Sequence, residues 1–330
     1  MMNLKRAGIV GIGSYLPEKI VTNKDLEKIV DTSDEWIVSR TGIQKRRVTE
    51  DGMTTSDMAT EAAKRALEMA NLKAEDLDLI IVGTVTPDMM LPSTACIVQK
   101  NLGAYPCAAM DLEAACSGFV YGITVGKQFI ETGMYKNVLV IGAENLSKIL
   151  DWTDRNTCVL FGDGAGAAVL SEVQEGGIIS ASLGADGKGG EFLCQPAGGA
   201  KLPATEDTVK ERLHTLKMSG SDVFKFAVRI MADSSRESIE KAGLTVDEID
   251  LLVPHQANIR IIESSAKRLG ISMDKVFVNL NEYGNMSAAS IPVALDEAYR
   301  SGRLKKGDNL TIVGFGGGLT WGSSCIKWSI

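Results

Sequence analysis

Three short stretches of the sequence carry side chains that could supply a nucleophile and its partners. Cys116 stands in DLEAACSGFVYG at 111–122, between a run that reads as a strand and a run of small and apolar residues that reads as the opening of a helix. A thiol there is either a buried structural cysteine, since free Cys packs as a small hydrophobe, or a nucleophile whose thiolate is favoured by a helix N-terminus. His255 follows the apolar run IDLLV, with Pro254 closing it, and strand ends are where α/β proteins bind ligands; its other reading is a histidine that caps the strand. Asn285, in EYGNMSAAS, sits where a turn meets a helix start. It is an ordinary turn residue, or an NH₂ donor to developing negative charge. The tail VGFGGGLTWG at 313–322 has three consecutive glycines, which form a plain turn or bring unhindered N–H groups close to a ligand, as an oxyanion hole requires.

Other features are more easily placed. Trp36 and Arg40 lie four apart in DEWIVSRTG, so a helix there puts them on one face, where an indole beside a guanidinium suits an adenine ring and its phosphates; a surface ion pair is the competing reading for Arg40. LFGDGAGAAVL at 160–170 lacks the Lys-Ser/Thr of a phosphate loop and reads as a structural tight turn near the core. His214, in the charged run RLHTLK, reads as exposed and inert.

The 330 residues suffice for two domains or one large one, and the formal charge of -7 argues against a dedicated nucleic-acid binder. Six cysteines without a CxxC pair read as reduced thiols in the cytoplasm, with no metal site. The glycine-interrupted apolar stretch near the N-terminus fits a first core strand over 7–12 better than a signal peptide. No run reaches the ~18 apolar residues of a transmembrane helix, so no membrane partner is expected.

The elements that must position these side chains are repeated. RALEMANLKAEDLDLIIV at 65–82 aligns with ESIEKAGLTVDEIDLLVP at 237–254, and NVLVIGA at 137–143 with NLTIVGF at 309–315, both at an offset of 172 (237 − 65 and 309 − 137). Helical patterns alternate with short β-branched runs in each copy, which predicts an α/β protein of two similar halves, taken as 1–172 and 173–330. The spacing puts DLEAACSG and VNLNEYGNMSAAS face to face across a pseudo-twofold axis. Residues 186–221, holding GKGG and PAGG, read as an insertion carrying some helix.

Over essentially its whole length the chain resembles the β-ketoacyl-acyl carrier protein synthase III family, the initiating condensing enzymes of bacterial fatty acid synthesis. The matching motifs are TSDEWIVSRTGI at 32–43, AACSGF at 114–119, TDRNTCVLFGDGAGAAVL at 153–170, PHQANIRII at 254–262, GNMSAASIP at 284–292 and GFGGGLTWG at 314–322. The resemblance implies a thiolase-like fold of two α/β halves in five layers, αβαβα, in a homodimer. It implies an acyl-CoA primer and malonyl-acyl carrier protein as substrates, with no cofactor beyond the coenzyme A thioester.

Carried over by position, Cys116 matches the acyl-accepting nucleophile, His255 and Asn285 the pair acting on the malonyl thioester, and Gly317 the donor that joins the N–H of Cys116 in an oxyanion hole. Trp36, Arg40 and Arg155 match the clamp on the coenzyme A nucleotide, and Asn258 a pantetheine contact. Lys225, Arg260 and Lys267 match a basic patch for the acidic carrier protein. Leu91 matches a position shaping the primer pocket across the dimer, while Met89 and Met90 beside it are expected to be core or interface packing. A condensing enzyme of secondary metabolism and a non-catalytic thioester-binding scaffold are the alternative readings.

Overall fold

The computed structural model describes residues 4–330. Two sheets dominate it. The first joins strands Ala7–Tyr15 (β1), Leu79–Gly83 (β2), Ala108–Leu112 (β3), Asn137–Asn145 (β4) and Asp163–Glu172 (β5) in the order β1-β5-β4-β2-β3. The second joins Gly177–Ala185 (β6), Leu251–Pro254 (β7), Asn309–Gly316 (β8) and Thr320–Lys327 (β9) in the order β7-β8-β9-β6. Read from the opposite edge, the second order is that of the first without its last strand. In place of that strand there is only an isolated bridge between Leu252 and Val276.

The sequence repeat is reproduced in the hydrogen bonds. β2 runs parallel to β4 with Leu79 opposite Val138, and β7 parallel to β8 with Leu251 opposite Leu310, the same register at the 172-residue offset. Asp78 accepts from Asn137 N at 3.0 Å, and Asp250 from Asn309 N at 2.8 Å. The Asn137 amide reaches Asp76 O, and the Asn309 amide Glu248 O.

Each sheet is covered on both faces, which is why LIIV and LLV are unbroken apolar runs rather than alternating ones. Helix Thr55–Ala70 (α2) lays Met58, Ala59, Ala62 and Ala66 on one face of the first sheet, against Ile80, Val82 and Leu139. Helices Gly118–Glu131 (α4) and Ser290–Arg300 (α7) fill the middle, packing Phe119, Ile123, Ile291 and Leu295 between Ile81 and Val140 of one sheet and Val253 and Ile312 of the other. Helices Gly220–Lys241 (α5) and Ile259–Leu269 (α6) cover the far side with Ala227, Met231, Ile261 and Ala266. These are the five layers of a thiolase-like fold. Between α2 and α4 lies helix Thr94–Leu102 (α3), and before them Asp34–Thr41 (α1).

Two expectations change. The first strand continues past residue 12 to Tyr15, and residues 163–172 form β5 rather than a tight turn. The glycines of β5 are there for close packing: a Cβ on Gly166 would lie 2.7 Å from Pro292 Cβ. No helix of the described residues is long and apolar enough to cross a membrane.

Candidate active site

Cys116 sits on a sharp turn between β3 and α4. Glu113 Oε1 accepts from Ala115 N at 3.0 Å, Ala115 takes φ +46°, and a single 3₁₀ turn over Ala115–Ser117 feeds straight into the helix. An L residue at positive φ is strained, and here it aims the next side chain off the strand end. The glycine-rich hairpin closes over this turn. A Cβ on Gly316 would lie 2.5 Å from Cys116 N, so only glycine lets β8 approach the elbow so closely. Thr320 Oγ1 lies 2.8 Å from Ala114 O and 3.1 Å from Gly317 O, stitching the loop to the elbow.

His255 follows β7 and is 1% exposed, with its N–H donating to Val313 O at 2.7 Å. Its ring meets Phe315 edge-on at 5.5 Å, and Nδ1 is buried without a hydrogen bond. Gln256 braces the segment by donating to Pro254 O and Phe277 O while its Oε1 accepts from Asn279 N. Asn285 follows Gly284, which has φ +67°. Its Oδ1 accepts from Ser287 N at 2.8 Å, which fixes the amide so that its NH₂ is the group left to the cavity.

Two cavities meet at Cys116. One, of about 140 Å³, is shared by Cys116, His255 and Asn285 with Phe224, Asn258 and Phe315 on its walls. The other, of about 420 Å³, is lined largely by apolar groups including Val85, Leu146, Ile149, Phe161 and Leu193, together with Gly317. Leu193, Cys194, Gln195 and Leu216 of that wall come from the inserted segment.

Burial sets the charge states. It pushes the Cys116 thiol up to about 12, with Ser287 opposing the shift and the Glu144 carboxylate adding to it. The helix N-terminus therefore does not deliver a resting thiolate, contrary to expectation: the side chain is only 5% exposed, and desolvation of the anion outweighs the nearby donors. His255 is pushed down to about 3 by burial and is neutral. Glu144, unremarked in the sequence because it lies next to the end of an apolar strand, is wholly buried and held up to about 7.

The other sequence candidates fall in three places. Trp36 and Arg40 share α1, capped by Ser33; the Arg40 guanidinium is 5.7 Å from the indole centroid, and Arg155 covers the same ring at 4.6 Å while donating to Asp31 O. Asn258 spends its side chain structurally, accepting from Arg260 N as the cap of α6 and donating to Arg40 O at 3.0 Å. Lys225 on α5 and Arg260 and Lys267 on α6 are exposed on two packed helices.

For Met89 to Leu91 the core reading is the one that falls. Leu91 is 85% and Met90 84% exposed, so Met89 to Leu91 are not core of this chain, and Leu91 lines neither cavity at Cys116. Met89 and Met90 line a separate cavity with Thr86 and Asp88. His214 is half-buried rather than exposed, its Nε2 lying 2.9 Å from Thr208 Oγ1.

A cysteine elbow at the junction of two pseudo-equivalent α/β halves, facing a histidine and an asparagine, defines a thiolase-like condensing enzyme. Residues 110–187 match the sequence family 3-oxoacyl-[acyl-carrier-protein] synthase III, and residues 239–328 its C-terminal part. The chain is 64% identical over 324 residues, 98% of each chain, to beta-ketoacyl-[acyl-carrier-protein] synthase III of Caldanaerobacter subterraneus subsp. tengcongensis, and 63% identical over 329 residues, the whole of both chains, to that of Clostridioides difficile. The crystal structure of 3-oxoacyl-[acyl-carrier-protein] synthase III from Aquifex aeolicus superposes with a TM-score of 0.90 at 49% identity, covering 98% of this chain and 100% of that one. The chain belongs to the β-ketoacyl-acyl carrier protein synthase III family.

Proposed function

We propose that the protein condenses an acyl-CoA primer with malonyl-acyl carrier protein, releasing coenzyme A and carbon dioxide and yielding a β-ketoacyl-acyl carrier protein. The observation that carries this reading is the position of Cys116 at the junction of a largely apolar cavity and a second cavity holding His255 and Asn285. In the first half-reaction the sulfur attacks the primer carbonyl, and the N–H groups of Cys116 and Gly317 hold the oxyanion. Removing one such donor typically costs ~10²–10³ in rate. Coenzyme A leaves, and the acyl chain lies in the apolar cavity.

In the second half-reaction, malonyl carrier protein docks on the Lys225, Arg260 and Lys267 face. Loss of carbon dioxide leaves an enolate whose oxygen is held by the neutral His255 ring and the Asn285 NH₂. The enolate carbon attacks the acyl-Cys116 carbonyl, the C–S bond breaks, and the product departs on the carrier. Trp36, Arg40 and Arg155 hold the nucleotide of coenzyme A, with Asn258 beside the arm. The active form is a homodimer, in which the exposed Met90 and Leu91 are covered by the second copy and Leu91 bears on the partner's primer cavity.

Intact-protein mass spectra after mixing with acetyl-, butyryl- or isobutyryl-CoA, then with malonyl carrier protein, test this. An acyl adduct on Cys116, absent in Cys116→Ser and discharged only by the malonyl carrier, supports it. An unmodified Cys116 with every primer overturns it.

A further inference from the structure

The Cys116 thiol is buried, must lose its proton to react, and has no carboxylate or free base in hydrogen-bonding contact. What stands behind it is a second buried pair. Glu144, next to the end of β4, is fully enclosed, and its Oε2 accepts from Thr86 Oγ1 at 2.7 Å, Val85 N at 3.1 Å and Thr84 Oγ1 at 3.2 Å. Its other oxygen, Oε1, is buried with no hydrogen bond, and so is the hydroxyl of Ser287. Ser287 lines the large cavity with Cys116, and its hydroxyl favours charge on the sulfur on one side and on the Glu144 carboxyl on the other.

We propose that Ser287 Oγ and Glu144 Oε1 carry the Cys116 proton away during acylation. As the sulfur forms its bond to the primer carbonyl carbon, the S–H proton passes to Ser287 Oγ, and the Ser287 hydroxyl proton passes to Glu144 Oε1. When the tetrahedral intermediate collapses and its C–S bond to coenzyme A breaks, Glu144 Oε1 returns the proton to Ser287 Oγ and the Ser287 hydroxyl proton passes to the departing coenzyme A thiolate, so no proton is gained or lost. Glu144 acts through Ser287 and never meets the substrate. A carboxyl held near 7 by burial suits this task, because a general base works best when its pKa lies near the operating pH. The other titratable groups facing the sulfur are Glu113, whose carboxyl is tied to Ala115 N, and His255, which is neutral.

The identity of the electrophile rests on the condensation reading, so the test separates the two. Cys116 of the wild type, Glu144→Gln and Ser287→Ala is alkylated with iodoacetamide and, separately, acetylated by acetyl-CoA in single turnover, from about pH 6 to about pH 9. Decarboxylation of malonyl carrier protein is followed alongside. Both variants are expected to react roughly 10²-fold more slowly in both assays, the inflection near neutrality is lost in Glu144→Gln, and Ser287→Ala keeps decarboxylation because its backbone N–H still holds Asn285. Wild-type rates, an unmoved inflection, or an equal loss of decarboxylation overturn the relay. If wild type is alkylated along a Glu144-dependent profile but never acetylated, the relay stands and the condensation reading falls. Should Glu144→Gln fail to fold, Ser287→Ala decides alone.

Discussion

Cys116 and Ala288 are the same position of a duplicated turn. They lie 172 residues apart, each follows a residue at positive φ, Ala115 at +46° and Ser287 at +45°, and each turn runs into a central helix. The packing across the axis is reciprocal: Gly314 of the second half comes up against the carbonyl of Cys116, and Gly142 of the first against that of Ala288. One elbow carries the thiol. The other carries no reactive group at the equivalent position and instead orients what faces it, through Ser287 N on Asn285 Oδ1.

The two glycines are predicted to respond differently to a methyl group. A Cβ on Gly142 would lie 2.1 Å from Ala288 O, a backbone atom with nowhere to go, so Gly142→Ala should cost at least roughly 1–3 kcal/mol of stability. At Gly314 the nearest atom is Cys116 O at 3.1 Å, so Gly314→Ala should cost less than about 1 kcal/mol yet displace the elbow and slow acylation on the order of 10-fold. Thermal denaturation alongside single-turnover acylation separates the two. A Gly314→Ala protein that melts lower but acylates normally would contradict the assignment.

The two similar halves and the meeting of Cys116 with Asn285 were legible because a strand register shared by two copies leaves a period in the sequence, whereas the five layers were implied by the family resemblance. His255 was legible because Pro254 marks a strand end. Glu144 was not, since NVLVIGAEN reads as one strand and nothing local tells that its penultimate residue turns inward to a polar pocket. Ser287 looked like one small residue among several. The walls at Leu193 and Leu216 come from a segment with no period, and the raised pKa of Cys116 comes from enclosure by parts of the chain distant in sequence.

Stability between pH 4.5 and 6.5 should reflect two opposed buried groups. His255 falls from 6.5 to about 3 on folding, so the unfolded chain binds its proton first and stability is lost as pH falls below 6.5. Glu144 rises from 4.5 to about 7, so its contribution is fully present below 4.5 and is lost as pH rises toward 7. Each is worth on the order of 1.4 kcal/mol per unit of pH while only one state is protonated. Denaturant midpoints should therefore fall more steeply toward acid in Glu144→Gln than in wild type, and less steeply in His255→Asn. Parallel curves for all three proteins would refute the assignment.

Asn285→Asp keeps the acceptor for Ser287 N but replaces the NH₂ donor with a group that repels an enolate. Decarboxylation of malonyl carrier protein should fall by ~10²-fold or more, while acetylation of Cys116 stays within a few-fold of wild type. Equal losses in both half-reactions would mean that Asn285 shapes the elbow instead.

Trp36 is the common floor of two guanidiniums, at 4.6 Å for Arg155 and 5.7 Å for Arg40. At an exposed site each such contact is worth ~0.5–1 kcal/mol, and a stacked adenine adds to them. Trp36→Ala should raise KM for acetyl-CoA roughly 10-fold with little change in kcat, and a pantetheine thioester lacking the nucleotide should show no such penalty. If both substrates weaken alike, Trp36 supports the fold of α1 and not the nucleotide.

The face proposed for the carrier is a cluster of basic side chains on an acidic chain. The chain as a whole carries -7, yet α5 and α6 expose Lys225, Arg260 and Lys267 without carboxylate partners among the described residues. Exposed charges of this kind act mainly on association rate and its salt dependence. Lys225→Glu combined with Lys267→Glu should raise KM for malonyl carrier protein about 10-fold at low salt, with the difference shrinking as salt is added and acetyl transfer from acetyl-CoA unchanged. A salt-independent loss, or an equal loss with acetyl-CoA, would place the docking face elsewhere.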